Sequence, residues 1–510
     1  MDDLPGQHRS LWSIDVDQRD HPPLDTDVSV DVAVVGGGIT GLTTAALCKD
    51  AGMTVAVLEA DRIGSGTTGG TTGKVTSQHD LFYATAIEEL GETAARTYAE
   101  ANQAAIALLD ELTTNHGIDA YPSRLPSFVY TTEESRTADL RAEADAARRL
   151  GLPATFVESL DLPFDVAGAV RFDDQLQIHP TRLAQGLARA VAGDGSSVHE
   201  HSRVLDVSEH DDHVELRTGR STVRARHVVV ATLLPILDRG FEFAKTRPTR
   251  SYGIAVELDV EPPEPMYISA ESPKRSLRHY HGNDGVYLVV VGESHETGHG
   301  EDLSDHYRAL IEFARRHFPV RSIAYRWSAQ DYMPVDGVPY IGQVSFTERI
   351  QTATGFKKWG LSNGVVAGWI MSDQILGRAN PWADVFDTNR THSLSAHTEL
   401  VRDNLHVAKK FASDRATLPG PSSAEELEPG QGLVVRRDGR PVAVCRTADG
   451  QRHSVDATCT HMGCIVAWND AEASWDCPCH GSRFDPDGRV VTGPATSPLP
   501  PIDDPMLPRS

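Results

Sequence analysis

The chain has 510 residues, of which 40% are hydrophobic, and a formal net charge of −24 at pH 7. This length allows roughly two to four domains with cores of their own, and the negative charge argues against nucleic acid or an anionic membrane surface as a partner. No apolar run approaches the roughly 18 residues of a membrane helix, so we expect no membrane span. The N-terminus lacks the basic start and apolar core of a signal peptide, which favours a cytoplasmic protein.

The first structured region predicted by the sequence is a dinucleotide-binding cradle. Residues 1–29 are polar and interrupted by prolines, which is typical of a surface arm. Residues 30–42, VDVAVVGGGITGL, then predict a buried strand, a glycine-rich turn and a helix. In this pattern Gly36 permits the tight turn, Gly38 lets the backbone approach a pyrophosphate, and Gly41 lets the helix pack on the strand. The free amides at the helix N-terminus favour an anion, so we predict that this cradle binds a dinucleotide cofactor.

The residues after the cradle extend this prediction. A second predicted strand, residues 54–60, contains Glu59 near its end. A carboxylate in that position can accept hydrogen bonds from a ribose and disfavours a phosphorylated ribose. Residues 61–80 are too rich in Gly and Thr for a regular element, but their amides and hydroxyls suit a loop along the cofactor.

The middle of the chain predicts covering helices and a second sheet. Apolar residues at helical spacing predict helices over 82–117 and 133–150. Segments 198–208 and 213–235 are predicted strands, and the second ends in a buried parallel strand. Residues 250–330 mix strands with one helix, which is typical of an antiparallel subdomain.

A second distinctive region, residues 327–377, contains WSAQDYMPVDGVPYIG and then GFKKWGLSNGVVAGW. Together with the cradle, this region resembles the D-amino acid oxidase family of flavoproteins, which includes glycine oxidase and sarcosine oxidase. The resemblance covers about residues 28–390 and implies an α/β FAD-binding Rossmann-type domain with an antiparallel β-sheet substrate subdomain. The FAD-binding residues predicted from the cradle and from the resemblance are Gly36, Gly38, Ile39, Thr40, Gly41, Glu59, Ala60, Thr67, Thr68, Thr72, Gly73, Lys74, Val204, Gly355, Phe356, Lys357, Gly360 and Leu361.

Several polar side chains are candidates for work at the flavin. A reduced flavin needs positive charge or amide dipoles near its pyrimidine edge, and Lys74, Lys357 and Lys358 can supply that charge. For orienting the substrate we predict Lys358, Asp331 and Tyr252, although Tyr252 can equally be a core aromatic. Where glycine oxidase has an arginine for the substrate carboxylate, this chain has Asp331, which argues against a simple glycine-like substrate. The sequence has no second GxGxxG and no CxxC near the cradle, which disfavours a nicotinamide site or a disulfide reductase.

The sharpest motif lies near the C-terminus. Six cysteines are too few for a disulfide scaffold in a chain of this length, and four of them lie within residues 459–479. The segments CTHMGC (459–464) and CPCHGS (477–482) follow an opening of short apolar runs and turns that predicts an all-β module. Together they resemble a Rieske domain. A zinc ribbon has similar ligands, but the C-x-H and C-x-x-H halves on separate loops fit a Rieske domain better.

The Rieske resemblance implies a 2Fe-2S cluster with four protein ligands, Cys459, His461, Cys477 and His480. It also implies a disulfide between Cys464 and Cys479, as in the Rieske proteins of cytochrome bc complexes. Such clusters have potentials of roughly −150 to +300 mV, so they accept electrons readily. Ser482 can donate a hydrogen bond to a cluster sulfur, whereas Phe484 stands where high-potential members carry a tyrosine.

These observations predict four segments in the chain: an N-terminal arm (1–29), an FAD-dependent oxidoreductase (30–395), a linker (396–423) and a small all-β Rieske domain (424–510). Within the oxidoreductase, the FAD-binding parts are predicted at about 30–80, 165–235 and 336–390. The substrate subdomain is predicted at about 81–164 and 236–335.

The predicted function is the oxidation of a small-molecule amine or amino acid at a CH–NH bond. Electrons would pass from FAD to the Rieske cluster and on to an external one-electron acceptor, because a flavin handles both two-electron and one-electron steps. Two alternatives remain open: an oxygenase in which the cluster feeds a mononuclear iron, and a noncatalytic redox carrier or sensor. The oxygenase requires two histidines and a carboxylate around an open site, and no such set stands out in the sequence.

Overall fold

The computed structural model describes residues 4–16, 20–237, 242–300, 302–390 and 418–502. Within them the helices are α1 (Ile39–Asp50), α2 (Thr67–Gly70), α3 (Tyr83–Leu90), α4 (Glu92–Asn115), α5 (Thr137–Arg149), α6 (Pro180–Val191), α7 (Ser304–His317), α8 (Gly360–Ile375) and α9 (Ala383–Phe386). The helices predicted over 82–117 and 133–150 therefore correspond to α3, α4 and α5.

The strands fall into two groups along the chain. Those up to residue 390 are β1 (Gln7–His8), β2 (Val28–Val35), β3 (Val55–Leu58), β4 (Lys74–Val75), β5 (Ser123–Thr131), β6 (Ala154–Val157), β7 (Gly168–Gln177), β8 (Ser197–His199), β9 (Val204–Glu209), β10 (Val214–Thr218), β11 (Thr222–Val230), β12 (Thr246–Leu258), β13 (Met266–Ser269), β14 (Arg275–His281), β15 (Val286–Glu296), β16 (Val320–Pro334), β17 (Tyr340–Gln343) and β18 (Ile350–Thr354). The C-terminal strands are β19 (Gly432–Arg437), β20 (Arg440–Arg446), β21 (Arg452–Asp456), β22 (Ala467–Asn469), β23 (Ser474–Asp476), β24 (Arg483–Phe484) and β25 (Val490–Thr492).

The first sheet carries the cradle. Its strand order is β17-β18-β11-β2-β3-β8, with β9 and β10 added as a hairpin beside β11. Strands β18, β11, β2, β3 and β8 run parallel. The central strand β2 is apolar on both faces, as expected for a covered parallel strand: Val32 and Val34 pack into the core with α1, whereas Ala33 and Val35 pack into the core on the opposite face.

Helices α1 and α8 pack closely against each other beside this sheet. A Cβ atom at Gly364 would lie 2.8 Å from the Thr40 hydroxyl, and one at Gly368 would lie 2.6 Å from Cγ2 of Thr43. Glycines at these two positions of α8 therefore allow the close approach. The contact brings the loop before α8, from near the end of the domain, next to the cradle at its start.

The second sheet has the strand order β1-β16-β12-β15-β14-β13-β5-β7-β4, and β6 pairs with β7. Its pairs are antiparallel except for β1 with β16 and β5 with β13. Strand β7 lies within the segment 165–235 that was predicted to bind FAD, yet it pairs in this second sheet. Helix α7 packs on the sheet through Tyr307, Leu310 and Ile311.

The N-terminal arm is built into the domain. Strand β1 pairs in parallel with β16, and Trp12 is fully buried. Its indole N–H donates a hydrogen bond to the Thr71 carbonyl oxygen, 2.5 Å away. The described part of the arm therefore supports the Gly- and Thr-rich loop after the cradle, in addition to leading into β2.

The C-terminal region forms two small antiparallel sheets, β19-β20-β21 and β22-β23-β24-β25. Of the predicted linker 396–423, only residues 418–423 are among those described. The predicted fold class, an α/β cofactor domain with a largely antiparallel second sheet and a C-terminal all-β domain, is confirmed. Among the described residues, none of the helices is both long and apolar enough to cross a bilayer.

Candidate functional site

The glycines of the cradle are required by close packing. Gly36 has a φ of +110°, and a Cβ atom there would lie 2.4 Å from the Ala231 carbonyl oxygen. A Cβ atom at Gly41 would lie 2.1 Å from the Gly36 carbonyl oxygen. Both contacts are with backbone atoms, which cannot move aside cheaply. The turn between β2 and α1 therefore depends on these two glycines.

Gly38 differs from them because its open side faces a cavity. It has ordinary extended dihedral angles, φ −88° and ψ −177°, and a Cβ atom there would meet only the Thr68 hydroxyl, at 3.1 Å. That hydroxyl accepts a hydrogen bond from the Ile39 amide (3.0 Å). The N-terminus of α1 thus opens into space that a pyrophosphate can occupy, which fits a dinucleotide cofactor.

Glu59 is held at the end of β3 by backbone amides. Its carboxylate accepts hydrogen bonds from the amides of Gly37 (2.7 Å) and Asp61 (2.8 Å). Burial raises the pKa of Glu59, and these two amides partly oppose that rise. The carboxylate lines the same cavity as the cradle, at the end where a ribose is expected.

A cavity of about 710 Å³ extends from the cradle between the two sheets. Sixteen of the predicted site residues line it: Gly36, Gly38, Ile39, Thr40, Glu59, Ala60, Thr67, Thr68, Thr72, Val204, Asp331, Phe356, Lys357, Lys358, Gly360 and Leu361. The structure thereby brings together segments that are separated by more than 300 residues in the sequence. The other predicted residues, Gly41, Gly73, Lys74, Tyr252 and Gly355, are not among those that line the cavity.

Two of these five residues have other partners. The Lys74 ammonium donates hydrogen bonds to the Tyr267 carbonyl oxygen (2.6 Å) and the Ser276 hydroxyl (2.7 Å), and burial lowers its pKa well below the usual value. Tyr252 is fully buried in the second sheet, and its ring stacks on His295 with centroids 5.6 Å apart. Tyr252 is therefore placed as a core aromatic, and we assign it no contact with the substrate.

Three lysines lie at one end of the cavity, and one of them, Lys274, forms an ion pair with Asp80 of the same wall. Lys357 and Lys358 come from the loop before α8, and Lys274 lies beside β14. Burial lowers the pKa of Lys358 to about 8, with Asp331 opposing the shift. Burial, together with the two neighbouring lysines, lowers the pKa of Lys274 to about 8. Sequence reasoning missed Lys274, because no motif surrounds it and only the fold brings it to the other two.

Asp331 fixes the lysine-bearing loop. One of its carboxylate oxygens accepts a hydrogen bond from the Tyr332 amide (2.8 Å), and the other accepts one from the Lys358 amide (2.5 Å). Burial raises its pKa to about 6, although these amides and the Lys358 charge oppose the rise. Because it accepts a hydrogen bond from the Lys358 backbone amide, the Asp331 carboxylate is also close enough to interact with the charge of the Lys358 side chain.

The second candidate site lies in the C-terminal domain, on two loops. The thiols of Cys459 and Cys477 are buried and in contact with each other. The imidazole rings of His461 and His480 lie with their centroids 5.0 Å apart. Two thiols and two imidazoles, each type adjacent, are the donor set that a Rieske-type 2Fe-2S cluster needs. The Ser482 hydroxyl also forms a hydrogen bond with the Cys459 thiol.

The loops that carry these ligands are joined covalently. Cys464 and Cys479 form a disulfide, as predicted, with their Cα atoms 6.4 Å apart. Cys48 and Cys445 are buried free cysteines away from the loops. Cys445 packs into the core of the C-terminal domain with Val455 and Trp475.

The C-terminal domain also closes the cofactor cavity. Arg483 and a segment after β24, Val491, Thr492, Gly493, Ala495 and Thr496, form part of the cavity wall. Nearby, the Arg203 guanidinium donates a hydrogen bond to the Val490 carbonyl oxygen (3.0 Å). The sequence did not predict this wall, because the motif at 459–482 identifies the domain but not what it packs against.

Comparison with known proteins agrees with both sites. Residues 31–374 match the FAD dependent oxidoreductase family, and residues 422–503 match the Rieske 2Fe-2S domain. The chain belongs to the FAD-dependent oxidoreductase family, with a Rieske domain at its C-terminal end. Its cofactors are accordingly FAD and a 2Fe-2S cluster, which the open cradle and the thiol and imidazole set both fit.

Three similar proteins give the scope of the likeness. YhfW of Bacillus subtilis, whose name describes a Rieske 2Fe-2S iron-sulfur protein, is 36% identical over 97% of each chain. Gamma-glutamylputrescine oxidoreductase of Escherichia coli is 29% identical over 70% of this chain and 87% of its own. The crystal structure of glycine oxidase from Geobacillus kaustophilus shares the fold, with a TM-score of 0.62 at 20% identity, over 72% of this chain and all of that one.

The open side of Gly38 provides a test of the cradle. We expect Gly38→Val to fold, because its dihedral angles suit valine, but to lose FAD, because the side chain fills the pyrophosphate space. Purified protein should contain less than about a tenth of the wild-type FAD, measured by absorbance after denaturation. Gly219→Val is the matched control, since nothing lies within 4 Å of its Cβ position. Normal FAD content in Gly38→Val would contradict the cradle.

The ligand loops provide a second test. Cys477→Ser should abolish the two irons per chain and the electron paramagnetic signal of mixed histidine and cysteine ligation, while FAD is retained. Cys445→Ala, which alters a buried cysteine of the same domain outside the loops, should keep both. Iron analysis and low-temperature spectroscopy of the two variants make the comparison. Zinc in place of iron in the wild-type protein would refute the cluster assignment.

Proposed function

We propose that this protein oxidises an amine or amino acid at a carbon–nitrogen bond and sends the electrons singly through its Rieske cluster to an external one-electron acceptor. The observation that carries the proposal is the shared cavity, whose wall includes both the cradle and residues of the Rieske domain. A cluster domain that only served another protein would have no reason to close the flavin site. The proposed boundaries of the two domains remain those expected from the sequence.

The substrate class rests on the relatives and on the charge of the cavity. The names of two similar proteins give gamma-glutamylputrescine and glycine as their substrates, and both compounds carry an amino group. In this chain Lys357 and Lys358 line the same cavity, next to Lys274, which is paired with Asp80. We assign to Lys358 the role of binding an anionic group of the substrate, and to Asp331 that of holding the Lys358 loop in place.

The reaction balances without a further group from the protein. Oxidation of the amine to the imine releases two electrons and two protons, and water then hydrolyses the imine. FAD, when bound, takes up the electron pair, and the cluster, when assembled, takes one electron at a time. The external acceptor must therefore be reduced twice for each substrate molecule. The protein's part is to orient the amine in the cavity.

The oxygenase alternative gains little support. Among the described residues, the group of two histidines and a carboxylate that could hold a single iron is His210, His213 and Glu215. These residues lie on the β9–β10 hairpin, where His210 is exposed, and none of them lines the cavity. The redox-carrier alternative leaves the lysine-lined cavity without a use. We therefore favour the oxidation of an amine.

Anaerobic stopped-flow spectroscopy tests the proposal. A panel of amines and amino acids is screened for one that bleaches the flavin, and with that compound we expect the flavin to bleach first and the cluster second, without an added protein. His461→Ala should still bleach its flavin at close to the wild-type rate, while turnover with ferricyanide or another one-electron acceptor falls by at least about tenfold. His453→Ala, on β21 of the same domain, should behave like the wild type.

Two results would contradict the proposal. The first is bleaching of the flavin by hydroxy acids or aldehydes but by none of the amines. The second is a cluster that stays oxidised while the flavin turns over. Reoxidation by dioxygen is excluded by the anaerobic conditions, so it cannot mimic either result.

The pKa of Lys358 gives a prediction for pH. With its pKa lowered to about 8, Lys358 is mostly charged at pH 7 and mostly neutral at pH 9. Binding of benzoate, followed through the flavin spectrum, should therefore weaken about tenfold over that range. In Lys358→Met, binding at pH 7 should be about tenfold weaker, with a smaller pH dependence that comes from Lys274. An unchanged affinity and pH profile in Lys358→Met would refute its assigned role.

A further inference from the structure

One segment of β16 connects the two cofactor sites. The Gln330 backbone carbonyl accepts a hydrogen bond from the Thr67 hydroxyl (2.7 Å), which belongs to the loop predicted to follow the FAD. Asp331, the next residue, lines the cavity and holds the Lys358 loop. Gln330 and Asp331 therefore lie in the wall of the cofactor cavity.

The same segment reaches the cluster loop with its side chains. The Tyr332 hydroxyl donates a hydrogen bond to the His480 carbonyl oxygen (2.8 Å). The Gln330 side-chain amide donates to the Gly481 carbonyl oxygen (2.8 Å) and approaches the Tyr332 hydroxyl (3.2 Å). Gln330 and Tyr332 are two apart on a strand, so both side chains point to the same face. Three consecutive residues of β16 thus connect the cavity wall to the loop that carries the cluster ligand His480.

The contact between strand and loop is tight. Gly481 has a φ of +71°, and a Cβ atom there would lie 2.6 Å from the Gln330 amide nitrogen, 2.7 Å from Cβ of Pro248 and 2.9 Å from the Tyr332 oxygen. No side chain fits between the loop and the strand. Tyr332 itself is fully buried. The hydrogen bond to His480 is therefore shielded from water, where such bonds are strongest.

The two histidine ligands differ in their surroundings. His480 is only 6% exposed, and the edge of Phe243 from the oxidoreductase domain lies against it, with centroids 5.0 Å apart. The same Phe243 ring also lies edge-on to His461, with centroids 6.0 Å apart, but His461 is partly exposed and its neighbour Met462 is 48% exposed. Both ligands therefore contact the oxidoreductase domain, but His480 is the more buried of the two and His461 is the more exposed.

We propose that electrons enter the cluster at His480 along the β16 segment, and that Tyr332 is the positioning residue that couples this ligand to the flavin site. This inference rests on the proposed function and adds to it the route and the direction of electron transfer. Each transfer removes one electron from the reduced flavin and converts one ferric ion of the cluster to ferrous, while the flavin protons pass to solvent. The electron then leaves from the His461 side to the external one-electron acceptor.

Tyr332→Phe in the full-length holoprotein tests the route. The variant keeps the ring and loses only the hydroxyl, and hydrogen bonds around a cluster tune its potential. We expect the cluster's reduction potential to fall, measured by an anaerobic potentiometric titration. We also expect the cluster to be reduced about tenfold more slowly after the bound flavin has been reduced with light and triethanolamine. This donor replaces the unidentified substrate in the assay.

The matched control is Tyr130→Phe. Tyr130 is a buried tyrosine of the same sheet that packs on Phe164, and its variant should keep the wild-type potential and rate. Gln330→Met, which removes the hydrogen bond to the Gly481 carbonyl oxygen, should also slow electron transfer to the cluster. The iron and FAD contents of all variants are determined first. If Tyr332→Phe does not assemble its cluster, Gln330→Met takes its place in the comparison.

The outcomes separate the inference from the proposed function. If the wild-type cluster stays oxidised after the flavin is reduced, the proposed function fails and the route fails with it. If the wild-type cluster is reduced, but Tyr332→Phe and Gln330→Met keep the wild-type reduction potential and the wild-type rate of cluster reduction, the inference alone is overturned. A lower potential with slower transfer in Tyr332→Phe, and neither change in Tyr130→Phe, supports it.

Discussion

Buried charges between the two domains determine how the Rieske domain docks on the oxidoreductase domain. Arg250 on β12 is 1% exposed, and its guanidinium lies 3.8 Å from Glu472 and 3.9 Å from Asp476 of the Rieske domain. Burial raises the pKa of Glu472, but the hydrogen bond from His8 and the charge of Arg250 hold that pKa below its usual range. Removing one partner of such a buried pair costs about 3–5 kcal/mol, because the other charge is left uncompensated. The pairing therefore favours this orientation over any docked arrangement that would leave Arg250 or one of the two carboxylates buried without a partner.

Docking in this one orientation has two consequences at once. It places Arg483 and the segment after β24 in the wall of the cofactor cavity, and it sets the His480 loop against β16. Close packing elsewhere in the interface, such as a Cβ position of Gly298 only 2.6 Å from the Pro478 nitrogen, leaves the Rieske domain little freedom to rotate. The shared cavity and the short path between the sites are thus two results of a single interface.

The residues that could be predicted from the sequence are those whose role is local. Gly36 and Gly41 are set by the turn they occupy, and the cysteines and histidines at 459–480 by the spacing of one motif. Contacts between distant segments gave no such signal. No motif surrounds Lys274, and Tyr332 lies in a segment whose family likeness indicated the flavin but not the contact with the cluster loop. Tyr252 also depends on the fold, since its sequence neighbours Arg250 and Ser251 line the cavity while its own ring is fully buried and stacks on His295. The pairing of β12 with β15 shifts register between Arg250 and Tyr252, and family likeness could not predict such a local irregularity.

The lysines at one end of the cavity carry a charge opposite in sign to the net charge of the whole molecule. The chain carries a formal charge of −24, yet one end of the cavity gathers Lys274, Lys357 and Lys358. Burial lowers the pKa of each of these lysines, which means that their charged forms lack solvation that a bound anion would replace. A negative exterior attracts an ammonium group during the encounter, whereas the lysines favour an anionic group inside. A ligand that carries both an ammonium and an anionic group would be attracted by the negative exterior and by the lysines inside the cavity. This is the electrostatic reason to expect an amino acid or an acidic amine rather than a simple alkylamine.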